Sequence, residues 1–266
     1  MSKSLNIVII GTGNVAYHIA QSFQSQQTIN LLQVFNHQNS KEAKSFSKTF
    51  ACNLVTDYTK IDTKADIYII AVKDDAVAEV AKQLSPLTLK GLVVHTSGSV
   101  DMAVLKNASK SIGVYYPLQT FYVGAEIDWQ TTPLLIEANL GAALKILQKI
   151  AESVSEKVKT VNSIKRLQIH LAAVFACNFT NAMYVAAYDV IENNLSKKDT
   201  ELLLPIMQHS FQKLQIVHPK KAQTGPAMRN DKLVMNKHLQ LLKQDKQLSH
   251  VYAVLSDLIM RQQNQD

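Results

Sequence analysis

The turn that follows the first apolar run constrains this chain more than any other feature. Residues 5–20 read LNIVIIGTGNVAYHIA: Ile7–Ile10 meets Gly11-Thr12-Gly13, and Ala16 follows three residues on. This G-x-G-x-x-A spacing predicts a buried strand turning sharply into a helix. Gly11 permits the turn, Gly13 lets backbone approach a pyrophosphate, and Ala16 lets the helix pack closely on the strand. The first helical N–H groups and the positive end of the helix dipole favour phosphate there. Thr12, Asn14 and Val15 complete the expected binding loop. A purely structural turn is the alternative.

The pattern that follows sets the fold class. Short apolar runs at Asn30–Asn36, Leu54–Val55, Asp66–Val72, Leu92–Thr96, Ile112–Tyr116 and Leu134–Ile136 read as strands. Between them lie helical segments at Val15–Ser25, Ser40–Phe50 and Asp75–Leu84. Continuous apolar strands separated by helices predict a mostly parallel sheet covered on both faces. Asn139–Lys157 reads as an amphipathic helix, and Val158–Val161 as a last strand or linker. Beyond it the strand signal stops. Helical periodicity runs over Leu167–Glu192, Thr200–Val217, Asn236–Leu242 and Val251–Arg261, and the polar tail Gln262–Asp266 is expected to fray. The expectation is an α/β protein: a doubly wound Rossmann sheet over 1–161 and an all-α domain over 162–266.

With 266 residues and 47% hydrophobic content, the chain can build real cores. No run is read as reaching the ~20 apolar residues of a membrane span, and no signal-peptide pattern opens the chain, so a cytoplasmic protein without membrane contact is expected. Cys52 and Cys177 form no metal-ligand spacing, and no metal is expected. Of the net charge of +7, most lies in 161–266, where 13 basic residues face 8 acidic ones. No basic-aromatic interleaving or nucleic-acid motif accompanies it, so an anionic small molecule is expected rather than nucleic acid.

Three further clusters carry possible chemistry. At the end of the second strand, dinucleotide enzymes specific for NAD place a carboxylate on the ribose hydroxyl. Here stand Asn36, His37 and Ser40, followed by Lys41 and Lys44, which favours NADP, with NAD less favoured. Ligands of open α/β sheets bind beyond the carboxyl ends of strands. Ala71, Val72, Lys73, Thr96 and Ser97 fall at such ends, and Tyr116 and Gln119 follow another. His95 reads equally well as a buried structural histidine. In the second half, Arg166, His170, Cys177 and Asn181 recur on one stripe of an otherwise apolar helix, with Asn178 beside it. An apolar helix of this kind is expected to be buried, its polar stripe lining a cleft or joining an interhelical network. Finally, Thr224–Asp231 (TGPAMRND) interrupts the helices. Arg229 there suits a carboxylate or phosphate, while Asp231 binds substrate or caps the next helix.

Together GTGNVA (11–16), AVKDDAV (71–77), HTSGS (95–99), YYPLQTF (115–121), RLQIHLAAVFACNF (166–179) and TGPAMRND (224–231) carry a resemblance over nearly the whole chain. It resembles Rossmann-like NADP oxidoreductases with a C-terminal helical domain of unknown function, related to pyrroline-5-carboxylate reductase and the 6-phosphogluconate dehydrogenase superfamily. That family usually has His-Pro at Tyr116-Pro117 and Arg-Gly-Asp at Arg229-Asn230-Asp231. The resemblance implies NADP binding and a homodimer built through the helical domain, and names no substrate. The resulting expectation is hydride transfer between NADPH and a small, anionic C=O or C=N compound held between the two domains. His170 is the expected proton donor. Asn178 holds the substrate oxygen or nitrogen, Ser97 assists, and Arg166, Asn181, Tyr116, Arg229 and Asp231 bind substrate. A non-catalytic NADP sensor is the alternative.

Overall fold

The computed structural model describes residues 4–122 and 124–263. Its sheet comprises β1 (Leu5–Ile10), β2 (Ile29–Phe35), β3 (Asn53–Val55), β4 (Ile67–Ile70), β5 (Leu92–His95), β6 (Ile112–Pro117), β7 (Leu134–Ala138) and β8 (Val158–Thr160). They lie in the order β3-β2-β1-β4-β5-β6-β7-β8. The first six are mutually parallel, the 3-2-1-4-5-6 order of a Rossmann sheet. β7 runs antiparallel to β6, and β8 parallel to β7. The reversal follows from the connection: among the described residues of 118–133 no crossover helix carries the chain back to the same end.

Side-chain alternation divides β1 between two cores. Ile7 and Ile9 pack on one face with Ala16, Ile19 and Phe23 of α1 (Asn14–Phe23) and Phe46 of α2 (Lys41–Thr49). Val8 and Ile10 pack on the other face with Val77, Val80 and Leu84 of α3 (Val77–Leu84). α4 (Gly141–Val154) joins the first face through Leu147, Ile150 and Val154. Both faces of β1 are therefore dry, which is why its sequence is apolar without alternation.

After β8 the chain is helical: α5 (Ser163–Ala173), a π-helical turn (Val174–Phe179), α6 (Thr180–Asn194), α7 (Leu204–Leu214), α8 (Pro219–Ala222), α9 (Lys232–Leu241) and α10 (Lys246–Gln263). Of the expected frayed tail, Gln262 and Gln263 close α10, and 264–266 lie outside the described residues. The chain divides into two compact units, Met1–Ala176 and Cys177–Asp266, so that the division falls inside the π-helical turn.

Two expectations about this helix are corrected. It is not buried: Leu171, Phe175 and Phe179 are 54%, 60% and 50% exposed, and Arg166 alone is buried among the described residues of 163–194. Nor is every run too short for a bilayer, since Ser163–Asn194 is long and apolar enough by length and composition. The core helix of a soluble protein passes the same test, so length and composition alone do not assign a span.

Candidate active site

A cleft of about 790 Å³ opens at the carboxyl ends of β1, β2 and β4 in the first unit, where the strand order reverses. Gly11, Thr12, Gly13, Asn14, Val15, Asn36, His37, Ala71, Val72 and Lys73 line it. Gly11 has φ +110°, and a Cβ there would stand 2.3 Å from the Ala71 carbonyl oxygen. Only glycine lets the β1–α1 turn lie this close to the end of β4. Gly13 shows the opposite: a Cβ there would meet no atom within 4 Å. It caps α1 without a side-chain hydrogen bond, and the first turn holds no acidic residue. An open space in front of uncapped N–H groups is what a phosphate fills, so these residues fit a dinucleotide.

At the end of β2, Asn36 accepts from Thr12 Oγ1 (3.4 Å) and donates to the Gln38 carbonyl (2.7 Å). None of residues 36–41, which follow β2, is a carboxylate, and His37 is exposed there. Ser40 lies one step away as the cap of α2, its Oγ accepting from Ala43 N at 3.2 Å. Thr96 is buried and donates through N and Oγ1 to the Ile70 carbonyl, tying β5 to β4. Sequence reasoning overlooked Phe35, Tyr58, Glu79 and Phe121, which also line the cleft. Phe121 stacks on His18 at 5.3 Å and on Trp129 at 5.9 Å, and its carbonyl accepts from Asn14 Nδ2. Its place depends on the fold of the 118–133 loop, which leaves no periodic signal.

A second group assembles at the ends of β5 and β6. Ser97 is buried, and its Oγ accepts from Ser99 N (3.1 Å) and Val100 N (3.0 Å), so it shapes the loop. Ser99 Oγ donates to Asp74. Tyr116 Oη and His170 Nδ1 lie 3.1 Å apart, both half-buried. A Cβ on Gly98 would meet His170 Nδ1 at 2.6 Å and Tyr116 Cζ at 2.8 Å. Burial, and secondarily the Asp74 charge, raise the Tyr116 hydroxyl above its usual pKa, with Arg166 opposing. Tyr116 is therefore a neutral phenol at physiological pH. His95 is fully buried, with Nδ1 accepting from Ser97 N. Burial and the Arg166 charge lower it to about 4, so it stays neutral, while its buried Nε2 has no hydrogen-bond partner among the described residues.

Arg166 is not placed where a substrate could reach its charge. It is 1% exposed, pairs with Glu137 of β7, and donates to the Val100 carbonyl and to Ser163 Oγ. Glu137 in turn accepts from Ser163 N and Oγ (3.0 and 2.9 Å). This network pins the first turn of α5 to the sheet, one turn before His170. Asn178, Asn181, Arg229 and Asp231 belong to the second unit. The first three are exposed, and Asp231 caps α9 by accepting from Val234 N at 3.1 Å. Asn230 has φ +52°, the left-handed region that asparagine tolerates best after glycine, which explains how it stands in for glycine there.

Residues 6–97 match the family described as NADP oxidoreductase, coenzyme F420-dependent, and residues 132–259 match a domain of unknown function, DUF2520. A Bacteroides fragilis protein designated an NADP oxidoreductase is 33% identical, over 97% of this chain and 98% of that one, with a TM-score of 0.88. The chain belongs to this NADP oxidoreductase family. NADP is the family's cofactor. Two more distant structures share the fold. Pyrroline-5-carboxylate reductase from Coxiella burnetii is 15% identical, covers 97% of this chain and 99% of its own, and has a TM-score of 0.58. An imine reductase from Myxococcus stipitatus, in complex with NADP+, is 14% identical, covers 96% and 92%, and has a TM-score of 0.63. No curated protein matches the sequence.

Proposed function

We propose that this protein is an NADPH-dependent reductase of a small, anionic carbonyl or imine compound. The observation that carries the reading is the open space at Gly13, before the uncapped start of α1, with no carboxylate in residues 36–41 after β2. The backbone of 11–15 would hold the pyrophosphate, and Asn36, His37, Ser40 and Lys41 would face the 2′-phosphate. Ala71, Val72, Lys73 and Thr96 would border the path toward the nicotinamide. When bound, NADPH supplies a hydride. The chain's own part is to orient the substrate and deliver a proton, which we assign to His170, half-buried at the carboxyl edge of the sheet. The imine reductase and pyrroline carboxylate reductase neighbours favour a C=N or C=O substrate.

We assign residues 1–161 to the cofactor and 162–266 to substrate recognition and dimerisation, in a cytoplasmic enzyme. The exposed apolar side chains from Leu167 to Val190 support a homodimer that covers them. Sedimentation should give twice the 29.6 kDa chain mass.

The cofactor reading is tested by thermal shift with NADPH and NADH on wild type and Gly13→Asp. NADPH should stabilise wild type more than NADH does. The variant should melt at the wild-type temperature without cofactor and gain nothing from it. No shift with either cofactor in wild type would defeat the proposal. A panel of 2-keto acids, aldehydes and cyclic imines then tests turnover; binding without any turnover would leave a sensor.

A further inference from the structure

We propose that Tyr116 is the positioning residue for the proton donor, its hydroxyl holding Nδ1 of His170 so that only Nε2 exchanges a proton with substrate. This rests on the reductase reading above and deepens it. The contact joins β6 to α5 across 54 residues of sequence and is the hydrogen bond that His170 makes to a side chain at 3.1 Å. Gly98 makes the approach possible, since a Cβ there would lie within 2.8 Å of both rings. The edge-on packing of the rings, 6.0 Å between centroids at 73°, restrains the imidazole as well. From the other side, the Arg166–Glu137–Ser163 network fixes α5 one turn earlier. The imidazole is thus held at its helix, by edge-on ring packing and at one nitrogen.

The chemistry follows from proton inventory. A histidine that donates a proton is the imidazolium, and both of its nitrogens then carry hydrogen. Nδ1–H donates to Tyr116 Oη, which leaves the Nε2 proton uncommitted. When the C=O or C=N group is reduced, its oxygen or nitrogen would take the proton from Nε2, and the electrons of the broken N–H bond would stay on the imidazole. His170 is left neutral, still bonded to Tyr116 through Nδ1. Tyr116 remains a phenol throughout and touches no reacting atom.

The test uses the full chain labelled with 15N at histidine, His170→Ala assigning the signals, and the variants Tyr116→Phe and Gly98→Ala. In wild type, neutral His170 should populate one tautomer; in Tyr116→Phe it should become a mixture, with NADPH affinity unchanged. With a substrate from the panel, Tyr116→Phe should lower kcat about tenfold and leave KM within about twofold, a positioning loss smaller than that of the acid itself. Gly98→Ala, which removes no functional group, should reproduce the kcat loss by separating the pair. If wild type turns substrate over and Tyr116→Phe changes neither the tautomer nor kcat, the role of Tyr116 is refuted while the reductase reading stands. If wild type binds NADPH but reduces nothing on the panel, the reductase reading falls and takes this role with it.

Discussion

Replacing Arg166 by methionine should be among the most damaging single substitutions in the first unit. The side chain is 1% exposed, and its partner Glu137 is 13% exposed. Methionine fills much of the volume but leaves Glu137 with only Ser163 N and Oγ as donors. Removing one member of a buried ion pair costs about 3–5 kcal/mol, because the remaining charge stays desolvated. Here the two surviving hydrogen bonds to Glu137 hold the loss near the lower end, about 3 kcal/mol. A domain of ordinary stability has only about 5–15 kcal/mol to lose. The single tryptophan, Trp129, lies in the first unit against Phe121, so its fluorescence reports this unit during urea unfolding. The double variant Arg166→Met/Glu137→Gln keeps an acceptor for Ser163 N without the charge. It should recover about 1–2 kcal/mol of the loss. A single-variant loss below about 1 kcal/mol, or a double variant no better than the single, would refute the idea that a buried charge pair anchors α5.

Gly11→Ala forces a side chain onto the Ala71 carbonyl at 2.3 Å with φ +110°, and should cost about 2–4 kcal/mol in the same unfolding assay, unlike Gly13→Asp. His95 is held near pKa 4, against 6.5 for an ordinary histidine. The unfolded chain therefore binds the extra proton first, and the contribution of His95 is full above pH 6.5 and lost as pH falls toward 4. That amounts to about 2 kcal/mol between pH 7.5 and 5. His95→Gln should flatten this part of the urea-midpoint profile; an unchanged slope would contradict it. At the left-handed Asn230, Asn230→Gly should be neutral within about 0.5 kcal/mol and Asn230→Val should cost about 1–2 kcal/mol, read as a shift in thermal midpoint of the second unit.

What a reader of the sequence could see was local. The β1–α1 turn, the apolar strands, the carboxylate-free end of β2 and the helical second half all depend on residues within a few positions of each other. Backbone sterics and burial period write such features directly into residue order. The loop residues 11–15 and 71–73 were legible for that reason, and they do line one cleft. Features made by distant segments were not legible. Phe121 reaches the cleft from the connection after β6, and β7 reverses direction because the described residues of 118–133 contain no helix. Arg166 shared a helical stripe with His170, and periodicity could not say which of the two would meet a carboxylate. Glu137, 29 residues earlier, captured the arginine, while Tyr116, 54 residues earlier, captured the histidine. The apolar helix was read as buried, because sequence records that a surface is apolar and not whether folding covers it. The sequence by itself determined the parallel part of the sheet, the β1–α1 turn and the class of cofactor, since each rests on short-range geometry. The tertiary structure alone decided which polar side chains are spent on holding the fold and which stay available for chemistry, because that depends on partners brought together only by folding.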